Sequence, residues 1–131
     1  MNNRKNNSKK NSKERSKELE KRTRQFAVRI IKLASELPDN EVGKIIKYQI
    51  IKSGTSVGAN YREANRAVSR AAFKHKIDIC ETEASETQYW LEVIIEAQLL
   101  PWSRVKSDYE EGSELLAIFT ASSNTAKKER E

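Results

Sequence analysis

Glu83 and Glu86 stand three residues apart, the spacing at which two carboxylates share a helix face and could hold a metal ion. A carboxylate-bundle metal site also takes a Glu-x-x-His pair and further Glu on other helices. The chain has one histidine, His75, and the residue three positions before it is Ala72. No metal site and no cofactor are therefore expected. Ser53, Asn60 and Glu63 are spaced by seven and three, which places them on nearby turns of one helix. They could form a polar pocket. The competing reading is a hydrogen-bonded network, with Glu83 and Glu86, that fixes helix register, because buried polar groups must be paired. Cys80 is the one cysteine; it falls in an apolar stripe and reads as an inert core thiol. His75 lies between Lys74 and Lys76 and reads as a surface residue. The stretch Gly54-Thr55-Ser56-Val57-Gly58 is not a phosphate loop, since Ala59 follows the second glycine and no strand precedes it. No nucleophile has a base at a meaningful spacing, so an enzyme is not expected.

Charge is the more informative chemistry. The chain carries 25 Lys and Arg against 19 Asp and Glu, a formal +6. Residues 1–17 hold seven basic residues, among them Lys9, Lys10, Lys13 and Arg15, against Glu14 alone. That segment has no apolar residue after Met1, so it is expected to be a disordered basic tail. It reads either as an arm that attracts phosphate backbones or as a solvating tail. Between Lys44 and Lys76 there are eight basic residues and one acid, Glu63; between Ile77 and Glu96 there are six acids and no base. Arg62, Arg66, Arg70 and Lys74 recur at spacings of four and would make a cationic ridge if one helix carried them all. Either the basic stretch is an exposed surface for RNA or DNA, or it packs beside the acidic one, within a chain or between copies.

The elements that position these residues are helices. Four Gly and two Pro in 131 residues leave too few turns for an all-β fold. Apolar residues instead recur at alternating spacings of four and three. The first stripe is Leu19, Thr23, Phe26, Ile30, Leu33 and Leu37, ended by Pro38. The second is Ile46, Ile50, Ser53, Val57, Asn60, Ala64 and Ala67. Within it Gly54 and Gly58 each cost a helix about 1 kcal/mol relative to Ala. Four apart, they offer one face to a closely approaching helix. The third stripe runs Phe73, Ile77, Cys80, Ala84, Thr87, Leu91 and Ile94; the fourth runs Val105, Tyr109, Gly112, Leu116 and Phe119. Helices are expected over about 18–37, 40–67, 69–100 and 103–123, within a bundle spanning 18–126 and a frayed end at 127–131. Short connections make this an all-α, antiparallel up-down-up-down four-helix bundle. Tyr89 and Trp90 are adjacent, so one of them is expected at an interface. No apolar run approaches the length of a membrane helix, and a cytoplasmic protein with no membrane partner is expected.

Two stretches carry a family resemblance. Gln49-Ile50-Ile51-Lys52-Ser53-Gly54-Thr55-Ser56-Val57-Gly58-Ala59-Asn60-Tyr61-Arg62-Glu63-Ala64 resembles the second helix of the bacterial 23S rRNA-intervening-sequence proteins. Glu83-Ala84-Ser85-Glu86-Thr87-Gln88-Tyr89-Trp90-Leu91 is similar to that family's E-x-x-E-x-x-Y-W-L segment. The resemblance spans roughly residues 18–126 and leaves the basic tail outside. It implies an antiparallel four-helix bundle that assembles as a ring-like homopentamer. The family is similar to the accessory protein of diversity-generating retroelements, which binds nucleic acid and a reverse transcriptase. The expectation is a non-enzymatic homo-oligomeric bundle that binds RNA or DNA without sequence preference. The alternative is a scaffold for a protein partner with no nucleic-acid ligand.

Overall fold

The structure, a computed structural model, describes residues 11–130 as four helices with no strand among them. Helix α1 spans Ser12–Ala34, α2 Glu41–Ala64, α3 Arg70–Glu96 and α4 Trp102–Arg130. Consecutive helices run antiparallel. Ile30 meets Gly54 and Thr23 meets Gly58 between α1 and α2. Between α2 and α3, the Ser53 and Thr87 hydroxyls lie 2.9 Å apart and Cys80 reaches the Val57 carbonyl. Between α3 and α4, Gln88 binds Ser113 and Asp78 binds Ser123. The expected up-down-up-down order is therefore the observed one.

The first, second and third stripes bury as their spacing predicts, with Leu19, Asn60, Ala67 and Phe73 as the exceptions. In α2, Asn60 is only half-buried, and Tyr61 takes the core position, its ring centroid 5.7 Å from that of Phe119. Phe73, early in α3, is also half-buried, packed against the core's edge. The fourth stripe differs more. Val105, Asp108, Gly112, Leu115 and Phe119 face inward, while Tyr109 and Leu116 are half-buried. The displacement follows Asp108, only 4 % exposed, whose carboxylate takes Arg29 Nε at 2.7 Å and Arg104 Nη1 at 3.2 Å. Arg104 also binds Glu36, so a four-residue ion cluster joins α1 to α4, the pair of helices in sparsest contact. The Asp108 charge is buried because Arg29 on α1 and Arg104, one turn before it on α4, both bind it.

Helix ends also depart from expectation. The chain is already helical at Ser12, not at 18, so residues 12–17 are not part of a disordered tail. Asn11 caps this end, accepting a hydrogen bond from Glu14 N at 2.8 Å. Its Lys, Glu and Arg residues extend a nucleated helix at little cost. Helix α2 stops at Ala64 rather than 67, with Asn65 as its C-cap. Helix α3 stops at Glu96, four residues before the expected end, because Gln98 adopts φ 59° and the Leu99 N–H turns back to the Ile94 carbonyl. Helix α4 begins at Trp102, and no serine caps it; the Arg104 N–H bonds the Pro101 carbonyl instead. It continues to Arg130, through the region expected to fray, with Ser123 and Ala126 extending its buried stripe.

Candidate nucleic-acid interface

The antiparallel order brings the start of α1, the end of α2, the start of α3 and the end of α4 to one pole of the bundle. Two contacts fix this: Asn65 Nδ2 donates to Glu20 Oε2 at 2.8 Å, and Lys74 Nζ lies between Asp78 Oδ2 and Ser123 Oγ, at 2.7 and 3.5 Å. Lys13 and Arg15 on α1, Arg62 on α2, Arg66 in the α2–α3 turn and Arg70 at the first turn of α3 are all exposed here. Lys127 and Lys128, exposed near the end of α4, join them. The latter pair was missed because the chain was expected to fray after 126; the continuing three-residue step from Ser123 to Ala126 was the available signal. Lys9 and Lys10 lie outside the described residues.

The arginine ridge does not form as one helix. Ser69 caps α3, accepting from Ala72 N at 3.0 Å, and the turn before it separates Arg66 from Arg70. Arg62, Arg66 and Arg70 have no acidic partner among the described residues. Lys74 does, bonded to Asp78 at 2.7 Å on its own helix, and Lys76 pairs with Glu63 at 2.8 Å. Partial burial raises the Asp78 carboxyl, but hydrogen bonds from Lys74 and Ser123 outweigh it and hold the group below the usual carboxylate range. The basic stretch thus divides into cations paired within the chain, Lys44, Lys74 and Lys76, and cations without an acidic partner among the described residues, Lys47 and Lys52 on the flank of α2 and three arginines at the pole.

The second constellation is not brought together. Ser53 is buried, with its hydroxyl bonded to the Ile50 carbonyl and to Thr87. Asn60 turns back to the Ser56 carbonyl at 2.8 Å, and Glu63 faces solvent beside Lys76. Glu83 contributes only its backbone carbonyl, which accepts from Thr87 at 2.8 Å. Glu86 lines an open groove between α3 and α4 with Glu81, Ser85 and Tyr89. Thr87 is the partner that grouping omitted, although it occupies a stripe position of α3. No group of three or more His, Cys, Asp or Glu able to hold a metal exists among the described residues. Burial pushes the Cys80 thiol up to about 12, so it is protonated and unreactive at neutral pH.

The two glycines do lie at a close helix approach. A Cβ on Gly54 would come within 2.8 Å of Ile30 Cγ2, and one on Gly58 within 3.0 Å of Thr23 Oγ1. Just outside this seam, Arg24 of α1 and Arg62 of α2 face each other across a shallow groove floored by Thr23, Thr55 and Gly58. Of the adjacent aromatics, Tyr89 is exposed and Trp90 packs on the core, so the ring left outside is Tyr89.

An all-helical four-helix bundle with a basic pole is the class these features define. Residues 15–121 match the 23S rRNA-intervening sequence protein family, and the chain belongs to that family. A solved protein of unknown function, from the S23 ribosomal protein family of Bacteroides thetaiotaomicron, is 36% identical with a TM-score of 0.74. The match covers 79% of this chain and 96% of that one. Among curated proteins, none matches the chain significantly. No helix among the described residues is long and apolar enough to cross a membrane.

Proposed function

We propose that the protein is a non-enzymatic, homo-oligomeric helical bundle that binds nucleic acid through phosphates, without sequence preference. The supporting observation is the pole at which Arg62, Arg66 and Arg70 stand exposed and without acidic partners among the described residues; the sequence before Asn11, which starts α1 at that pole, adds Arg4, Lys5, Lys9 and Lys10. Such cations replace condensed counterions on a phosphate backbone, and the released ions drive binding. Phosphate contacts hold the backbone but read no bases. The test is binding of RNA and DNA to the full chain, to a form lacking residues 1–11, and to an Arg66→Gln/Arg70→Gln variant, across a salt series. Binding at low salt that falls steeply with salt and weakens in both altered forms is expected. No binding by the full chain at low salt rejects the reading, and loss confined to the truncated form moves the site to the arm.

A second reading, a self-assembling scaffold, has its own support. Val28 and Ile31 on α1 and Ile45 and Tyr48 on α2 are exposed apolar residues, and Lys44, Lys47 and Lys52 flank Tyr48 and Ile51 in one shallow surface depression. The groove between α3 and α4 offers Tyr89 with Glu81 and Glu86. These faces differ in sign and carry apolar residues, as head-to-tail contacts between copies require. The ring-like homopentamer implied by the family resemblance is one closed outcome, and native mass measurement checks it. A monomer at micromolar concentration rejects this reading and the homo-oligomeric part of the first, leaving nucleic-acid binding to its own test.

A further inference from the structure

Resting on the basic-pole reading, we infer that the ligand is double-stranded nucleic acid gripped by its phosphates, with unpaired strands bound far less tightly. Proteins that hold single strands without sequence preference combine a basic groove with exposed aromatic rings on which bases stack. This pole has the cations but, among the described residues, only the His75 imidazole as an exposed ring, too little for a run of stacked bases. The large exposed aromatics among the described residues are Tyr48, Tyr89 and Trp102, at 64, 56 and 47 % exposure. Tyr48 is 16 residues before the end of α2, about 24 Å along the helix axis. Tyr89 is 19 residues into α3, about 28 Å from its start, and Trp102 begins α4 at the opposite pole. Of the rings near the cations, Tyr61 packs against Phe119, Phe73 is half-buried between the edge of the core and a shallow depression beside Ala121, Thr125 and Ala126, and only the single imidazole of His75 is exposed. Residues 1–11 contain no aromatic residue.

The exposed amides of the described part of this pole include Asn65 and Asn124. The Asn65 carboxamide, the amide best placed among the arginines, already donates to Glu20. What remains is a set of guanidinium and ammonium groups mounted on the ends of four packed helices, Lys13 on α1, Arg62 on α2, Arg70 on α3 and Lys127 on α4, with Arg66 between. Packed helix axes stand about 8–10 Å apart, so these charges are spread over a broad surface rather than strung along a channel. A duplex presents phosphates at fixed positions over a comparable width and at twice the linear charge density of one strand. A single strand has to be ordered to reach the same cations, with one exposed imidazole, His75, to stack on against the lost freedom.

The experiment compares a mixed-sequence DNA duplex, an RNA duplex of the same sequence, and oligo(dT) of equal length, by fluorescence anisotropy with the full chain. Both duplexes are expected to bind about ten-fold or more tightly than oligo(dT) at the same salt. The Arg66→Gln/Arg70→Gln variant should weaken both duplexes by similar factors and reduce the slope of log K against log salt by about 2. Oligo(dT) binding as tightly as the duplexes overturns the inference while leaving the basic pole as the site. Binding of one duplex but not the other also overturns it, because that requires groove shape or the 2′-hydroxyl to be read. Failure of all three ligands to bind at low salt removes the underlying function together with the inference.

Discussion

Gly112 sits on α4 where α3 crosses it, and a methyl group there would fall on the side-chain amide of Gln88. Gln88 is buried; its Nε2 donates to the Tyr109 carbonyl at 2.8 Å and to Ser113 Oγ at 2.9 Å, while its Oε1 has no partner. Replacing Gly112 with Ala gains about 1 kcal/mol of helix propensity. The displaced Gln88 loses two hydrogen bonds in a buried place, and an overpacked site costs about 1–3 kcal/mol on its own. Gly112→Ala should therefore destabilise the fold by about 1–3 kcal/mol in urea unfolding. Adding Gln88→Ala removes the overlap, so the double variant should be more stable than the sum of the two single changes predicts. Strict additivity would show that the glycine is not there for the glutamine. At this scale the glycines at 54 and 58 were legible from their spacing, because close approach of helices needs small residues four apart. Gly112 was not, because its reason is one side chain on another helix.

Helices are held by their ends as well as by their stripes. Gln98 ends α3 in the left-handed region at φ 59°, where a Cβ is strained by about 1 kcal/mol. Gln98 is exposed and bonds nothing with its side chain, so Gln98→Gly should stabilise the protein by about 0.5–1 kcal/mol, read as a higher urea midpoint at unchanged slope. Two ion pairs, Arg104 with Glu36 between elements and Lys74 with Asp78 within α3, give a pH dependence of known sign. The hydrogen bond from Arg104 holds the Glu36 carboxyl below its ordinary range, and the Lys74 and Ser123 bonds do the same for Asp78 against the opposing effect of burial. A carboxylate with a lowered folded pKa adds stability that is complete above its unfolded pKa and lost as pH falls through the folded one. The melting temperature should stay level from neutral pH down to about 5 and fall below about 4, and Asp78→Asn should shrink that fall. An unchanged acid profile in that variant would show that Asp78 takes no part. The stripes were readable because burial follows a four-three period. The ends were not: Asn11, Asn65 and Gln98 terminate helices through single local backbone geometries that many sequences share. Asp108 misled the reading of α4 for a third reason, since Arg29 is 79 residues away and nothing near Asp108 announces it.

Which cations are free is a property of the whole fold rather than of any segment. Lys74 with Asp78, four apart on one helix, could be paired from the sequence; Lys76 with Glu63, across a turn, could not. The arginines that remain lie among like charges at one pole. Arg70 stands at the positive end of α3, where a cation is unfavourable. A surface kept for binding polyanions is therefore expected to cost stability when no polyanion is present. Replacing Arg66 and Arg70 with glutamine relieves that repulsion. The variant should be more stable than the parent by a few tenths of a kcal/mol, up to about 1, at low ionic strength. The screening length is about 30 Å at 0.01 M salt and about 3 Å at 1 M, so the advantage should vanish at high salt. Urea midpoints at the two salt concentrations measure it, with the slope checked for constancy. A variant less stable than the parent at low salt would mean that these guanidinium groups are paired, and the acidic α3–α4 face of a second copy would be the place to look for the partner. The same substitution that weakens duplex binding should thus strengthen the isolated fold, and that opposition of sign separates a surface held ready for phosphate from one already neutralised by its own kind.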